Sequence, residues 1–125
     1  MSAVPIADLA KDLVKLCRQG KFLDVVNKYY GKGIVSVEST SSPTMPAEMK
    51  GLDAVIGKHK WWEENHTVHG LEVNGPYVGE HRFAVEFKFD VTDKGSGKRH
   101  VMQEVALYTV EKGKIVHEHF FYPTA

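Results

Sequence analysis

Cysteine is almost absent from this sequence, in which Cys17 is the only one. A single cysteine allows neither an intramolecular disulfide nor a cysteine metal cluster. No stretch is apolar over the length of a membrane span, and residues 1–10 lack the apolar core of a signal peptide. These absences predict a cytoplasmic protein with no membrane partner, in which Cys17 is simply buried on a helix.

An excess of either charge is also missing. Lys and Arg together number 16, as do Asp and Glu, so the formal net charge is zero. A protein that binds nucleic acid through its phosphates needs a basic excess or a basic run, and the sequence has neither. We therefore expect no nucleic-acid partner.

The apolar residues that are present, 42% of 125, are enough for one hydrophobic core. We predict a single domain, 1–125. Apolar residues at helical spacing predict a first helix that stops at Gly20. They predict a second helix directly after it, with Phe22, Val25, Val26 and Tyr29 on its apolar side, which Gly31 and Gly33 end.

The rest of the chain reads mainly as strands. A short strand over 34–38 precedes a Ser-, Thr- and Pro-rich loop, 39–50, which is long enough to be a candidate cover for a site. A third helix runs from Gly51 to about His66. Four strands follow, over 68–77, 82–91, 99–110 and 114–122. Helices early and strands late predict an α+β fold.

Three glutamates are the main sign of a functional site: Glu38, Glu104 and Glu118. Strand alternation points each of them inward, on three separate strands. A buried carboxylate is unfavourable unless it is paired, hydrogen-bonded or used in binding or catalysis. The alternative is that one or two of them lie at a rim, paired with Arg82, Arg99 or a tyrosine hydroxyl.

Alternation along the last two strands also predicts which neighbours of these glutamates point inward. The inward residues of the last two strands are Met102, Glu104, Ala106, Tyr108 and Val110, then Val116, Glu118, Phe120 and Tyr122. The outward residues of the last strand are then Ile115, His117, His119 and Phe121. A slip of one residue would reverse every one of these assignments.

The strand over 82–91 alternates cleanly, with an apolar face of Phe83, Val85, Phe87, Phe89 and Val91. On the third helix, one stripe holds Val55, His59, Trp62 and His66, and Trp61 lies about 100° away. We expect His59 and Trp62 to face the same interior as the glutamates.

The other histidines favour structural roles. His117 and His119 share a strand face, as a metal pair would, but that face is expected to be external and has no neighbouring carboxylate in the same strand. His66 and His69 straddle a helix end and can donate hydrogen bonds to its last carbonyls. We expect no metal and no cofactor.

The order of these elements resembles a SnoaL-like domain, in the nuclear-transport-factor-2-like superfamily that also contains ketosteroid isomerases and polyketide cyclases. The segments that carry the resemblance are 20–22, 30–38, 51–62 and 104–122. It implies a cone-shaped α+β barrel, in which a curved, mixed and mostly antiparallel sheet wraps the N-terminal helices around a pocket. It also implies a homodimer through the outer face of the sheet.

The resemblance to ketosteroid isomerases transfers only in part. Those enzymes keep a carboxylate base on the strand after the second helix, and Glu38 is the matching carboxylate here. Their tyrosine donor would fall within 13–17, which offers no hydroxyl, and their second acid would fall near Ala106. Glu104 is two residues away on the same face, so the base position is filled and the oxyanion donors are missing.

SnoaL-type cyclases use an acidic residue near the end of the last strand. The matching segment here, 120–122, has none, and Glu118 is the nearest carboxylate. We therefore expect neither family's reaction to transfer unchanged.

The sequence predicts a barrel pocket that binds a small, largely apolar ligand, with cofactor-independent acid/base chemistry of the isomerase or cyclase kind. The candidate catalytic residues are Glu38, Glu104 and Glu118, and the candidate ligand-binding residues are His59, Trp62, Met102, Tyr108, Phe120 and Tyr122. The alternative is a module that binds a ligand or dimerises without catalysis.

Overall fold

The structure, a computed structural model, describes residues 4–123. This part of the chain contains three helices, α1 (Ile6–Arg18), α2 (Phe22–Tyr29) and α3 (Leu52–Asn65). Its strands are β1 (Tyr30–Val37), β2 (Glu48–Lys50), β3 (His66–Val78), β4 (Arg82–Asp93), β5 (Arg99–Glu111) and β6 (Lys114–Phe121). None of the helices in residues 4–123 is long and apolar enough to cross a membrane.

The strands form one sheet in the order β2-β1-β6-β5-β4-β3. Every neighbouring pair is antiparallel except β1 and β6, which run parallel. The helices pack on one side of this curved, open sheet, with α1 on β3 and β4 and α3 on β1. The predicted α+β fold, with a mixed and mostly antiparallel sheet wrapped around the helices, is confirmed.

The core lies between the helices and the inner face of the sheet. All five residues on the predicted apolar face of β4 are buried: Phe83, Val85, Phe87, Phe89 and Val91. They meet α1 residues such as Leu9 and Leu13, and Cys17 is buried in the same core. The two-residue period of β4 was therefore a sufficient guide to its inner face.

The junction of α2 and β1 differs from the prediction. We expected Gly31 and Gly33 to end the second helix, but α2 ends at Tyr29 and both glycines lie within β1. The first helix does turn at Gly20, whose φ of +74° suits glycine. The predicted loop over 39–50 also contains the short strand β2, which pairs with β1.

The first half of β6 also differs from the prediction. The pairing of β5 with β6 shifts between Thr109, opposite His117, and Val110, opposite Ile115, so Val116 is an unpaired bulge residue. Ile115 is consequently fully buried, although we expected it to face outward with Val116 inward. Beyond the bulge the predicted direction holds, which keeps Glu118, Phe120 and Tyr122 on the inner face.

Candidate functional site

A cavity of about 360 Å³ opens between α3, the segment 38–45 and the inner face of the sheet. This size lies within the roughly 300–1,000 Å³ typical of small-molecule pockets. Eight of the nine predicted site residues line it: Glu38, His59, Trp62, Met102, Glu104, Tyr108, Phe120 and Tyr122. The ninth, Glu118, lies behind the cavity wall and is completely buried.

Glu118 is held by three partners from β1 and α3. The Tyr30 hydroxyl donates to its Oε1, and Ser36 Oγ donates to its Oε2 at 2.6 Å. His59 Nε2 lies 3.4 Å from the same Oε2. Burial opposes ionisation of Glu118, but the hydrogen bond and charge of His59, with smaller contributions from neighbouring groups, bring its pKa below the ordinary value. Glu118 is therefore a buried carboxylate with satisfied oxygens.

Lys58 connects this buried carboxylate to the cavity. Its Nζ donates to Ser36 Oγ and to Glu38 Oε2, the latter at 2.8 Å, and lies 4.0 Å from Glu118 Oε2. The ammonium also stands 5.1 Å from the centre of the Phe120 ring. The cation of Lys58 is thus committed to groups of the protein itself.

Glu38 follows directly after β1 and has both oxygens occupied. Oε2 accepts from Lys58, and Oε1 accepts from the Tyr122 hydroxyl at 3.0 Å. Burial, followed by the charge of Glu38 and this hydrogen bond, raises the pKa of Tyr122 to about 12. Tyr122 therefore remains a hydrogen-bond donor at neutral pH. Ser39 fixes the same corner by donating to the Phe120 carbonyl at 2.7 Å.

Glu104 differs from the other two glutamates. No side-chain hydrogen bond or ion pair to it is present in residues 4–123, although its carboxyl group is largely buried in the cavity wall. Burial, then the charges of Glu38 and Glu118, raises its pKa to about 7, against the opposing charge of Lys58. Near neutral pH this carboxyl group can both give and take a proton.

Tyr108 supplies a second open polar group. Its ring is buried against Phe83, with centroids 4.9 Å apart, but its hydroxyl makes no hydrogen bond within the described part of the chain. In those same residues no buried side-chain nitrogen or oxygen lacks a partner, so this hydroxyl must reach the cavity that Tyr108 lines. Burial raises the pKa of Tyr108 well above its usual range, which keeps the group a donor.

Aromatic rings from α2, α3 and β4 also line the cavity. Trp62 packs on Phe89 with centroids 5.1 Å apart, and Phe89 also contacts Phe22 and Phe87. His66 stacks on Trp62 at 4.5 Å, and its Nδ1 hydrogen-bonds the Trp62 carbonyl, the helix-end contact that the sequence predicted. Trp61 is 49% exposed, as expected from its angle on α3, although it reaches the cavity rim.

The sequence also allowed an alternative in which the glutamates pair with an arginine or a tyrosine hydroxyl. The tyrosine pairing is present, and the pairing with Arg99 is not. Glu38 and Glu118 each accept from a tyrosine hydroxyl. Arg99 instead pairs with Asp90 on the outer face of the sheet. The histidine prediction also fails at His69, which hydrogen-bonds the Thr92 hydroxyl rather than a helix carbonyl.

Sequence reasoning missed Lys58, Ser36 and Tyr30. Lys58 lies three residues after Val55 and four before Trp62, so the helical stripe did include it. Ser36 alternates with Ile34 and Glu38 on one face of β1. The signal for Tyr30 was hidden because residues 30–33 were assigned to the end of a helix.

The predicted cover over the site fits the geometry. Thr40, Ser41, Ser42 and Met45, from the loop between β1 and β2, all line the cavity. No group of three or more His, Cys, Asp and Glu side chains within residues 4–123 is arranged to hold a metal ion.

The sequence profile of the SnoaL-like domain matches residues 4–122. A crystal structure of a protein from Mesorhizobium loti, provisionally named a SnoaL-like polyketide cyclase [carbohydrate phosphatase], is 46% identical to this chain. The match covers 95% of this chain and 100% of that one, with a TM-score of 0.90. Among curated proteins no sequence matches the chain.

More distant structures share the fold alone. A protein from Bacillus subtilis provisionally named an isomerase is 12% identical, covers 94% of this chain and 85% of its own, and has a TM-score of 0.71. An NTF2-like protein from Anabaena variabilis is 11% identical, covers 95% and 90%, and has a TM-score of 0.74.

Proposed function

The chain belongs to the SnoaL-like domain family, and we propose that its cavity binds a small, largely apolar molecule and catalyses a cofactor-independent proton transfer on it. Relatives of this fold carry isomerase and cyclase names, which supports this class of reaction without identifying the substrate. A cytoplasmic location stays a prediction from the sequence.

The observation that carries the proposal is the state of Glu104. Its carboxyl group faces the cavity without a protein partner, and its pKa is raised to about 7. General acid/base catalysis works best when the pKa of the catalytic group lies near the working pH. We therefore assign the proton transfer to Glu104, where the sequence and the family resemblance had favoured Glu38.

Glu38 has a different role in this proposal. Its ion pair with Lys58 and its hydrogen bond from Tyr122 stabilise the carboxylate and reduce its basicity. Glu38 and Lys58 form the polar end of the cavity and orient the ligand. Glu118 does not line the cavity, so it acts as a positioning residue that holds Ser36 and His59.

Tyr108 provides the donor that the family comparison left unfilled. Its protonated hydroxyl opens into the cavity on the same strand face as Glu104. Ala106, between them on that face, is fully buried and is not among the lining residues, so the two polar groups reach the cavity on either side of it. A ligand oxygen can accept from Tyr108 while Glu104 exchanges a proton nearby.

The test is a proton-exchange assay that needs no knowledge of the natural substrate. β-Tetralone in D₂O is monitored by NMR for deuterium uptake next to its carbonyl, with and without the protein. We expect the wild-type protein to accelerate exchange and Glu104→Gln to lose roughly 100-fold or more of that acceleration. The matched variant Glu64→Gln, at an exposed position of α3, is expected to leave the rate unchanged.

Glu38→Gln separates the two carboxylates. If Glu104 transfers the proton, Glu38→Gln weakens binding of β-tetralone more than it slows exchange at saturation. If Glu38→Gln loses exchange and Glu104→Gln remains fully active, Glu38 is the general base and the assignment to Glu104 is wrong.

A binding module without catalysis is the second candidate. The specific observation in its favour is that Glu38 and Glu118 already have their oxygens satisfied by the protein. It predicts that β-tetralone binds to the wild-type protein without any acceleration of exchange.

We also propose a homodimer through the outer face of β5 and β6. Val105 and Phe121 lie directly opposite each other on that face and are 39% and 45% exposed. His119 stacks on Phe121 with centroids 4.2 Å apart, which extends the flat surface. Neighbouring exposed apolar side chains of this kind are typical of a protein contact.

A further inference from the structure

The charges around the cavity are unequal. Glu38, Glu63 and Glu104 line it, and Glu118 lies just behind it. Lys58 is the one lysine or arginine among the lining residues, and its ammonium is already shared by Glu38 and Ser36. His59 Nε2 is directed at Glu118 rather than at the open space. Within residues 4–123, no lining lysine or arginine is thus left to neutralise an anionic ligand.

Glu104 is the group at which this excess of negative charge would act on a ligand. Glu104 and Glu63 both line the cavity without a side-chain partner within residues 4–123, but Glu63 is exposed whereas Glu104 is largely buried. A largely buried carboxylate without a partner is unfavourable, so a ligand that brings a positive charge gains more there than a neutral one.

The aromatic wall suits the same kind of ligand. Trp62 and Phe89 line the cavity, with Phe89 on the strand that pairs with that of Glu104, and a cation beside an aromatic ring is attracted to its electron-rich surface. The carbon skeleton of the ligand would pack on the same rings.

We infer that the natural ligand carries a basic nitrogen, bound as an ammonium against Glu104, on an apolar ring body that packs on Trp62 and Phe89. The inference rests on the proposed function, since it specifies the molecule that the same cavity binds. Carboxylates, phosphates and other anions are excluded by the same charges.

Binding of an ammonium changes the protonation of Glu104. The charges that act on Glu104 are those of Glu38 after β1, Glu118 on β6 and Lys58 on α3. The other titratable groups that line the cavity are His59, Glu63, His66, Tyr108 and Tyr122. Without ligand, part of the Glu104 population is protonated near pH 7. An ammonium favours the carboxylate, so its binding releases a proton and becomes tighter as the pH rises from about 6 to about 8.

The experiment compares three molecules that share one bicyclic body. β-Aminotetralin is a cation near neutral pH, β-tetralol is neutral, and the β-carboxylate of tetralin is an anion. Titration calorimetry of the wild-type protein is expected to give the amine at least roughly tenfold tighter binding than the alcohol, and no measurable binding of the carboxylate. Repeating the amine titration in buffers of different ionisation enthalpy measures the released proton.

Glu104→Gln is the decisive variant because it keeps the shape and removes the charge. We expect it to bind the amine no more tightly than the alcohol and to release no proton, while Glu64→Gln keeps the wild-type preference. Circular dichroism checks that each variant is folded, and proton release by the wild-type protein tests the inference without any variant.

The outcomes distinguish this inference from the proposed function. If the alcohol binds as tightly as the amine, or if the carboxylate binds as well as either, the inference is wrong and the small-molecule cavity stands. If none of the three molecules binds and exchange of β-tetralone is also not accelerated, both are wrong.

Discussion

Lys58 on α3 and Glu38 at the end of β1 form an ion pair, with Nζ 2.8 Å from Oε2. The same ammonium lies 4.0 Å from the fully buried Glu118 and donates to Ser36 between them. One cation therefore holds two carboxylates that come from different strands. It also ties the helix to the part of the sheet where the cavity begins.

Replacing Lys58 is expected to destabilise the protein more than most single changes. Lys58→Met keeps the length of the side chain but leaves Glu38 without its cation and raises the pKa of Glu118. Breaking a buried ion pair on one side costs about 3 kcal/mol. Urea unfolding at neutral pH measures the loss, and we expect Lys58→Met with Glu38→Gln to recover part of it.

Lys60→Met is the matched control for this experiment. It makes the same substitution two residues away, at an exposed position of the same helix. We expect a change within about 0.5 kcal/mol. Equal effects of Lys58→Met and Lys60→Met would show that the buried ion pair contributes nothing to stability.

Alternation and helical spacing were enough to predict most of the cavity. The inner residues of β5, from Met102 to Val110, follow the two-residue period without interruption. His59 and Trp62 follow from the stripe on α3. These predictions succeeded because each depends only on neighbours within one regular element and on an uninterrupted strand.

The remaining features depend on contacts between distant segments. The bulge at Val116 reverses Ile115 and leaves no mark in the hydrophobic pattern, because both residues are β-branched and apolar. Lys58 fits the stripe, but a lysine is seldom buried without a partner, and its partner is 20 residues earlier on another element. The lack of a side-chain partner for Glu104 can likewise be recognised only when the positions of all its neighbours are known.

Glu104 makes the stability of the ligand-free protein depend on pH. Its pKa is about 7 in the folded protein against an ordinary value of 4.5, so the folded state retains a proton that the unfolded state has lost. The free energy of unfolding is therefore highest, as far as this group is concerned, below about pH 4.5, and falls as the pH rises to about 7. The loss is at most about 3 kcal/mol.

Glu104→Gln should remove this dependence, because glutamine resembles the protonated acid and does not titrate. We expect the variant to be more stable than the wild-type protein at about pH 8 and similar to it at about pH 4.5. Urea unfolding across this range gives the difference directly, and the histidines cancel in the comparison. A constant difference at every pH would mean that Glu104 titrates alike in the folded and unfolded states.

The outer face of β5 and β6 yields the last prediction. Val105 and Phe121 are cross-strand neighbours on that face, so a charge placed at one of them must be desolvated if a second copy packs there. We expect Val105→Glu to raise the dimer dissociation constant roughly tenfold or more, and to leave binding of β-tetralone unchanged because Val105 points away from the cavity. Sedimentation equilibrium measures the constant. Val4→Glu, at a side chain that is 45% exposed beside α1, is the control and should have no effect. A wild-type protein that is monomeric at high micromolar concentration would overturn the proposed dimer, while equal weakening by both variants would place the contact elsewhere.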